Sequence, residues 1–163
     1  MNKPGFQPSL KGRALRLLSQ REHSRTELER KLSQHEEVPG ELAKALDEMQ
    51  ARDFINDGRA VDSVVNRRSG KLGSARIKQE LATKGLSGEA VAQAMESLKD
   101  TEFSRAQEVW RKKFGTPPQD PHERAKHMRF LITRGFNAEV VRRVVKGEGC
   151  TVDLDDDLAD EQS

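Results

Sequence analysis

The sequence predicts an all-α protein, three tandem three-helix units forming an elongated, curved array. Three observations predict it. Apolar residues recur at spacings of three and four from Leu10 to Val145, the period of a helix, and no long stretch alternates with the period of a strand. Residues that start and stop helices punctuate this pattern at short intervals. The pattern also repeats: Arg13-Ala14, Arg59-Ala60 and Arg105-Ala106 recur at intervals of 46, Leu32, Leu81 and Leu131 at 49 and 50, and Glu41, Glu89 and Glu139 at 48 and 50.

Residues 1–9, with Pro4, Gly5 and Pro8, read as a flexible arm. The first unit, 10–52, has apolar faces at Leu10/Ala14/Leu17/Leu18, Leu28/Leu32 and Leu42/Leu46/Met49, and Ser24 with Glu27 forms a capping box before its second helix. The second, 53–99, has Val61/Val64/Val65, Ile77/Leu81 and Val91/Met95/Leu98, with Asn56 and Ser87 as cap candidates and Gly85 as a left-handed stop after Lys84. The third, 100–149, has Ala106/Trp110/Phe114, Met128/Leu131/Ile132 and Val140/Val141/Val144/Val145. Asp120, Pro121 and Glu123 start its second helix, Gly135 stops it, and Asn137 caps the next. Two units share a Gly-apolar-cap-x-Glu pattern, at 85–89 and 135–139; the first has Glu36 in place of the glycine and one extra residue. The aromatics Phe54, Phe103, Trp110, Phe130 and Phe136 are expected in the core by register.

Composition supports units over a single globule. With 34% hydrophobic and 4% aromatic residues, the 163-residue chain cannot enclose one thick apolar centre, whereas stacked units bury one another's open faces. The net charge of +2 conceals an asymmetry. Residues 150–163 read as an acidic disordered tail with six acids and no Lys or Arg, which leaves 29 basic against 21 acidic residues, a charge of +8, on the rest. A basic body suits a polyanion or an acidic protein surface. Removing residues 151–163 is expected to strengthen such binding at low salt.

Enzyme chemistry is not advertised. His122-Glu123 and His127 are one residue too far apart for the helical zinc motif, so their side chains point about 140° apart. The Gly70–Ser74 stretch lacks the spacing and preceding strand of a phosphate loop. The lone Cys150 has no neighbouring base. No run is long and apolar enough to span a bilayer, and neither a signal peptide nor a disulfide is expected, so a soluble, cytoplasmic, cofactor-free monomer is the expectation.

Ordered segments carry a family resemblance: Arg21-Glu22-His23-Ser24-Arg25-Thr26-Glu27-Leu28 with Lys31-Leu32, then Phe54 to Ala60, Gly73 to Leu81, Lys84-Gly85-Leu86, Arg129-Phe130-Leu131 and Arg134-Gly135-Phe136. Over residues 10 to 147 this set resembles the RecX family. The resemblance implies tandem three-helix repeats and a regulator that binds the groove of the RecA–DNA filament. It implies restraint of RecA's ATPase, strand exchange and co-protease functions, without a cofactor. Val61, Val64 and Val65 stand where members of that family often carry aromatics. The expected contacts to RecA or DNA phosphate are the basic clusters Arg67, Arg68 and Lys71, Arg76 and Lys78, Arg111, Lys112 and Lys113, and Arg142, Arg143 and Lys146. Arg59 and Arg105 are expected to pair with an acid inside their units. The competing reading is a module whose three-helix units bind single- or double-stranded DNA directly.

Overall fold

The computed structural model describes residues 5–148; the acidic segment after Cys150 lies outside them. The first unit is α1 (Leu10–Gln20), α2 (Arg25–Leu32), a 3₁₀ turn (Ser33–His35) and α3 (Glu41–Ala51). α4 (Asp57–Arg68), α5 (Ser74–Thr83), α6 (Glu89–Lys113), α7 (Pro121–Thr133) and α8 (Ala138–Lys146) follow, with no strand among the described residues. Three separate apolar cores lie one after another. Leu28 and Leu46 centre the first, Ile77 and Leu81 the second, Leu131 and Val141 the third. Val61 and Val64 are themselves buried in the second core. Among the described residues, hydrogen bonds and ion pairs join the first unit to the second and the second to the third, so the units are linked in chain order.

Caps set the local ends. Ser24 and Glu27 satisfy each other's backbone N–H, while Asn56 and Asp120 accept from the N–H three residues on. In the first unit Glu36 accepts from the Leu42 N–H at 2.9 Å, which gives α3 a side-chain acceptor where its own N-cap is Gly40. Two expectations need correction. Gly88, not Ser87, is the N-cap of α6. Phe54 is 46% exposed, because it lies just beyond α3 and not on a helical core face. A third difference concerns helix number. No breaker separates Leu98 from Ala106, so the last helix of unit two and the first of unit three run as one 25-residue helix, α6. The expected boundary at 99/100 falls inside it, which makes these two units continuous through backbone hydrogen bonds.

The seams between units repeat as the units do. At the first, Ser24 Oγ donates to the Lys84 carbonyl at 2.6 Å and Arg30 to the Thr83 carbonyl at 2.6 Å, with Gly85 set against Thr26. At the second, the Gly73 N–H donates to the Arg134 carbonyl at 2.8 Å and the Ala75 N–H to Gly135 at 3.2 Å. In both, the start of one unit's second helix meets the end of the next unit's. The recurring Arg-Ala pair belongs to the same geometry. Ala60 and Ala106 are buried where helices approach closely, and each arginine reaches back to the loop of the preceding unit. Arg59 pairs with Asp53 at 2.8 Å and crosses to Glu22 at 3.1 Å. Arg105 pairs with Glu102 at 2.8 Å and donates to the carbonyls of Ser69 (3.1 Å) and Leu72 (2.8 Å). Arg13, the equivalent arginine of the first unit, reaches Gln7 at 3.3 Å. The expected acid pairing is present, and it also ties neighbouring units together.

The first seam carries a pH dependence. Burial would raise the pKa of Glu27, but hydrogen bonds from Arg21 and the Ser24 N–H and the charge of Lys84 prevail and hold it at about 2. Burial likewise disfavours charge on His23, whose pKa is lowered even though its Nδ1–H donates to the Arg21 carbonyl at 3.0 Å. His23 Nε2 faces Lys31 Nζ at 3.3 Å, an arrangement only the neutral ring can accept. Both groups bind protons more readily when unfolded. Their stabilisation is therefore full above pH 6.5, declines first as the unfolded His23 charges, and declines again from pH 4.5 as Glu27 is titrated toward its folded value. The Glu27 part is roughly 3 kcal/mol. Urea midpoints measured from pH 7 to pH 3 are expected to fall accordingly, and Glu27→Gln is expected to flatten the segment below pH 4.5.

Candidate partner-binding surface

Ion pairing divides the basic residues singled out in the sequence into two groups. Arg68 is held by Glu80 at 2.9 Å, Arg111 and Lys112 by Glu108 at 2.7 and 3.8 Å, and Arg143 by Glu148 at 2.8 Å while it lies 4.6 Å above the ring of Phe103. These charges are largely answered within the chain. Arg67, Lys71, Lys78, Arg142 and Lys146 are exposed and make no ion pair among the described residues. Arg76 and Lys78 point to different sides of α5, as their spacing of two requires.

Arg76 and Lys113 converge, although 37 positions separate them. They meet where the second unit abuts the third, on the rim of a groove of about 510 Å³. Lys126, Arg129 and Arg134 complete the cationic lining, Leu72, Phe114, Phe130 and Thr133 fill the rest, and no carboxylate contributes. None of the five cations makes an ion pair among the described residues. Their positions follow from local structure. The sequence of α7 places Lys126, Arg129, Phe130 and Thr133 on one face, with Arg134 at its C-cap. The seam brings Arg76 alongside by setting the α5 side chain against Gly135.

Packed aromatic rings form the floor of the groove. Arg134 lies 4.5 Å and Lys113 5.7 Å from the centroid of Phe130, and Phe114 meets Phe130 edge-on at 5.4 Å. Phe114 stacks on His127 at 3.7 Å, and His127 Nδ1 accepts from the Trp110 indole at 3.1 Å. Burial lowers the pKa of His127 and keeps its ring neutral. His127 thus belongs to the core of the third unit, while His122 sits exposed on the first turn of α7, and the two do not converge. A second hollow, beside α1 and α2, holds Arg13, Arg16, Arg30 and Lys31 without a carboxylate, but Arg13 and Arg30 already have hydrogen-bond partners. No helix of the described residues is long and apolar enough to cross a membrane.

Sequence reasoning missed Lys126, Arg129 and Arg134. Their i, i+3, i+8 spacing on α7 was a readable signal. Their meeting with Arg76 and Lys113 was not, because it depends on the seam.

Three family models match in order: the RecX first, second and third three-helix domains, over residues 11–49, 56–95 and 100–145. The chain is 50% identical over 145 residues to "Regulatory protein RecX" of Leptothrix cholodnii, an alignment covering 89% of this chain and 91% of that one. It is 43% identical over 149 residues to "Regulatory protein RecX" of Ralstonia nicotianae, covering 91% and 94%. Among solved structures, a crystal structure of regulatory protein RecX aligns with a TM-score of 0.69 at 20% identity, over 84% of this chain and 71% of the other. One of RecX from Lactobacillus salivarius aligns at 0.68 and 19%, over 84% and 92%. At these identities the structural likeness bears on the fold alone.

Proposed function

The chain belongs to the RecX family, and from that premise we infer that it binds along the groove of a RecA–DNA filament, spans neighbouring RecA subunits and restrains RecA's ATPase, strand exchange and co-protease activities. The relatives it matches are named regulatory proteins, and the chain is read as a cytoplasmic monomer that catalyses nothing and needs no cofactor. One observation supports the reading above others: a cationic groove without a carboxylate, fixed within an array whose units are locked to one another. A filament is a long object with repeated subunits. Weak contacts distributed over linked units meet it at high effective concentration, so their contributions multiply. The exposed cations Arg67, Lys71, Lys78, Arg142 and Lys146 are proposed as further contacts to acidic surface on the filament.

The test is RecA's single-strand-dependent ATPase, titrated with the full chain. The rate is expected to fall in a saturable way. An unchanged rate at a large excess of the chain over RecA would remove the proposal.

A further inference from the structure

We propose that the groove between α5 and α7 takes the sugar–phosphate backbone of a single nucleic-acid strand. The proposal rests on the filament reading for where the strand is met, and it assigns this groove to the nucleic acid instead of to protein.

Charge carries the first part of the argument. Carboxylates answer some of the chain's cations, among them Arg25, Arg59, Arg68, Arg105, Arg111 and Arg143. Five of the nine residues that line this groove are cations and none is an acid, a denser unanswered charge than the four among thirteen in the hollow beside α1 and α2. An anion from outside would relieve the mutual repulsion of the five.

Shape and orientation carry the rest. The hollow, about 510 Å³, is concave and far smaller than a duplex, so it can admit a few linked groups of one strand. The guanidinium carbon of Arg134 lies 4.5 Å from the centroid of the Phe130 ring, which sets its fork of donors at the groove for a phosphate. Lys126 and Arg129 stand exposed one turn apart on α7, a spacing suited to successive backbone phosphates.

The experiment measures the anisotropy of a short fluorescent oligothymidylate bound by the full chain across a range of salt. Lys126→Glu with Arg129→Glu is expected to lower affinity at least tenfold, and to reduce the steepness of log K against log salt by roughly 1.4, two contacts at about 0.7 each. Lys44→Glu with Arg52→Glu, exposed on α3 and just after it, is expected to stay within about threefold of the unaltered chain, a loss from long-range charge alone. Lys126→Gln with Arg129→Gln is expected to melt at or above the unaltered temperature while losing affinity, because repulsion is removed. Equal losses in the α7 and α3 variants would overturn the proposal, as would tighter binding to a duplex of the same length or no binding by the unaltered chain. The RecA ATPase assay on the same proteins separates the two readings. A chain that binds the strand through the groove but leaves RecA's rate untouched supports the groove and sinks the filament reading. An α7 variant that keeps its strand affinity but loses inhibition overturns the groove proposal and leaves the filament reading standing.

Discussion

Gly73→Ala is expected to lower stability by about 3 kcal/mol, near the upper end of the usual overpacking cost. The backbone of Gly73 is extended, at φ −76° and ψ 165°, so alanine meets no conformational penalty there. The obstacle is space. An added methyl would overlap the carbonyl group of Gly135 and the amide nitrogen of Phe136, which are backbone atoms and cannot swing aside. The overlap also threatens the Gly73 N–H bond to the Arg134 carbonyl at 2.8 Å, and with it the seam that brings Arg76 to the groove. Gly70→Ala, three residues away with open space around it, is the control and is expected to change stability by less than about 1 kcal/mol. Urea unfolding of both variants checks the pair. Equal midpoints would mean that the units are not held together at this point.

The second large effect is expected from Glu102. Its carboxylate is 3% exposed and accepts from the backbone N–H groups of Ser74 (3.2 Å) and Asn137 (3.2 Å) as well as from Arg105 (2.8 Å). One side chain therefore joins α5, α6 and the start of α8. Burial already disfavours the charge on Arg105, and Glu102 opposes that effect. Glu102→Ala leaves a buried guanidinium without its anion and strands two backbone donors, at a cost of about 3–5 kcal/mol. Removing Arg105 as well is expected to recover part of the loss, since the unpaired charge goes with it. Urea midpoints of the two single variants and the double variant measure this coupling. Strict additivity would show that Glu102 acts without Arg105.

Much of this architecture was legible in the sequence because it is local. The helix period, the capping box at Ser24 and Glu27 and the glycine stops at Gly85 and Gly135 each depend on neighbours within a few residues. The repeat intervals then gave the number of units, and the Arg-Ala recurrence marked an acid pairing at Arg59 and Arg105. Features that depend on two units at once were hidden. The run through residues 99 and 100 needed only the absence of a breaker, a weak signal against the expectation of separate helices. The Gly70–Ser74 stretch reads as a simple helix break. Only the approach of Gly135 explains why position 73 has no side chain. The same limit applied to the candidate site. Counting basic residues found Arg76 and Lys113 but weighted them equally with Arg68, Arg111 and Arg143, whose charges are answered by carboxylates. Charge density along a chain does not reveal which cations are left unpaired in the fold.

The most direct test of the central claim is an electron-microscopic reconstruction of RecA–DNA filaments saturated with the chain. The account predicts continuous density along the helical groove, each chain touching at least two adjacent RecA subunits, with the α5–α7 groove facing the DNA. Density confined to filament ends, or one compact contact on a single subunit, would contradict it.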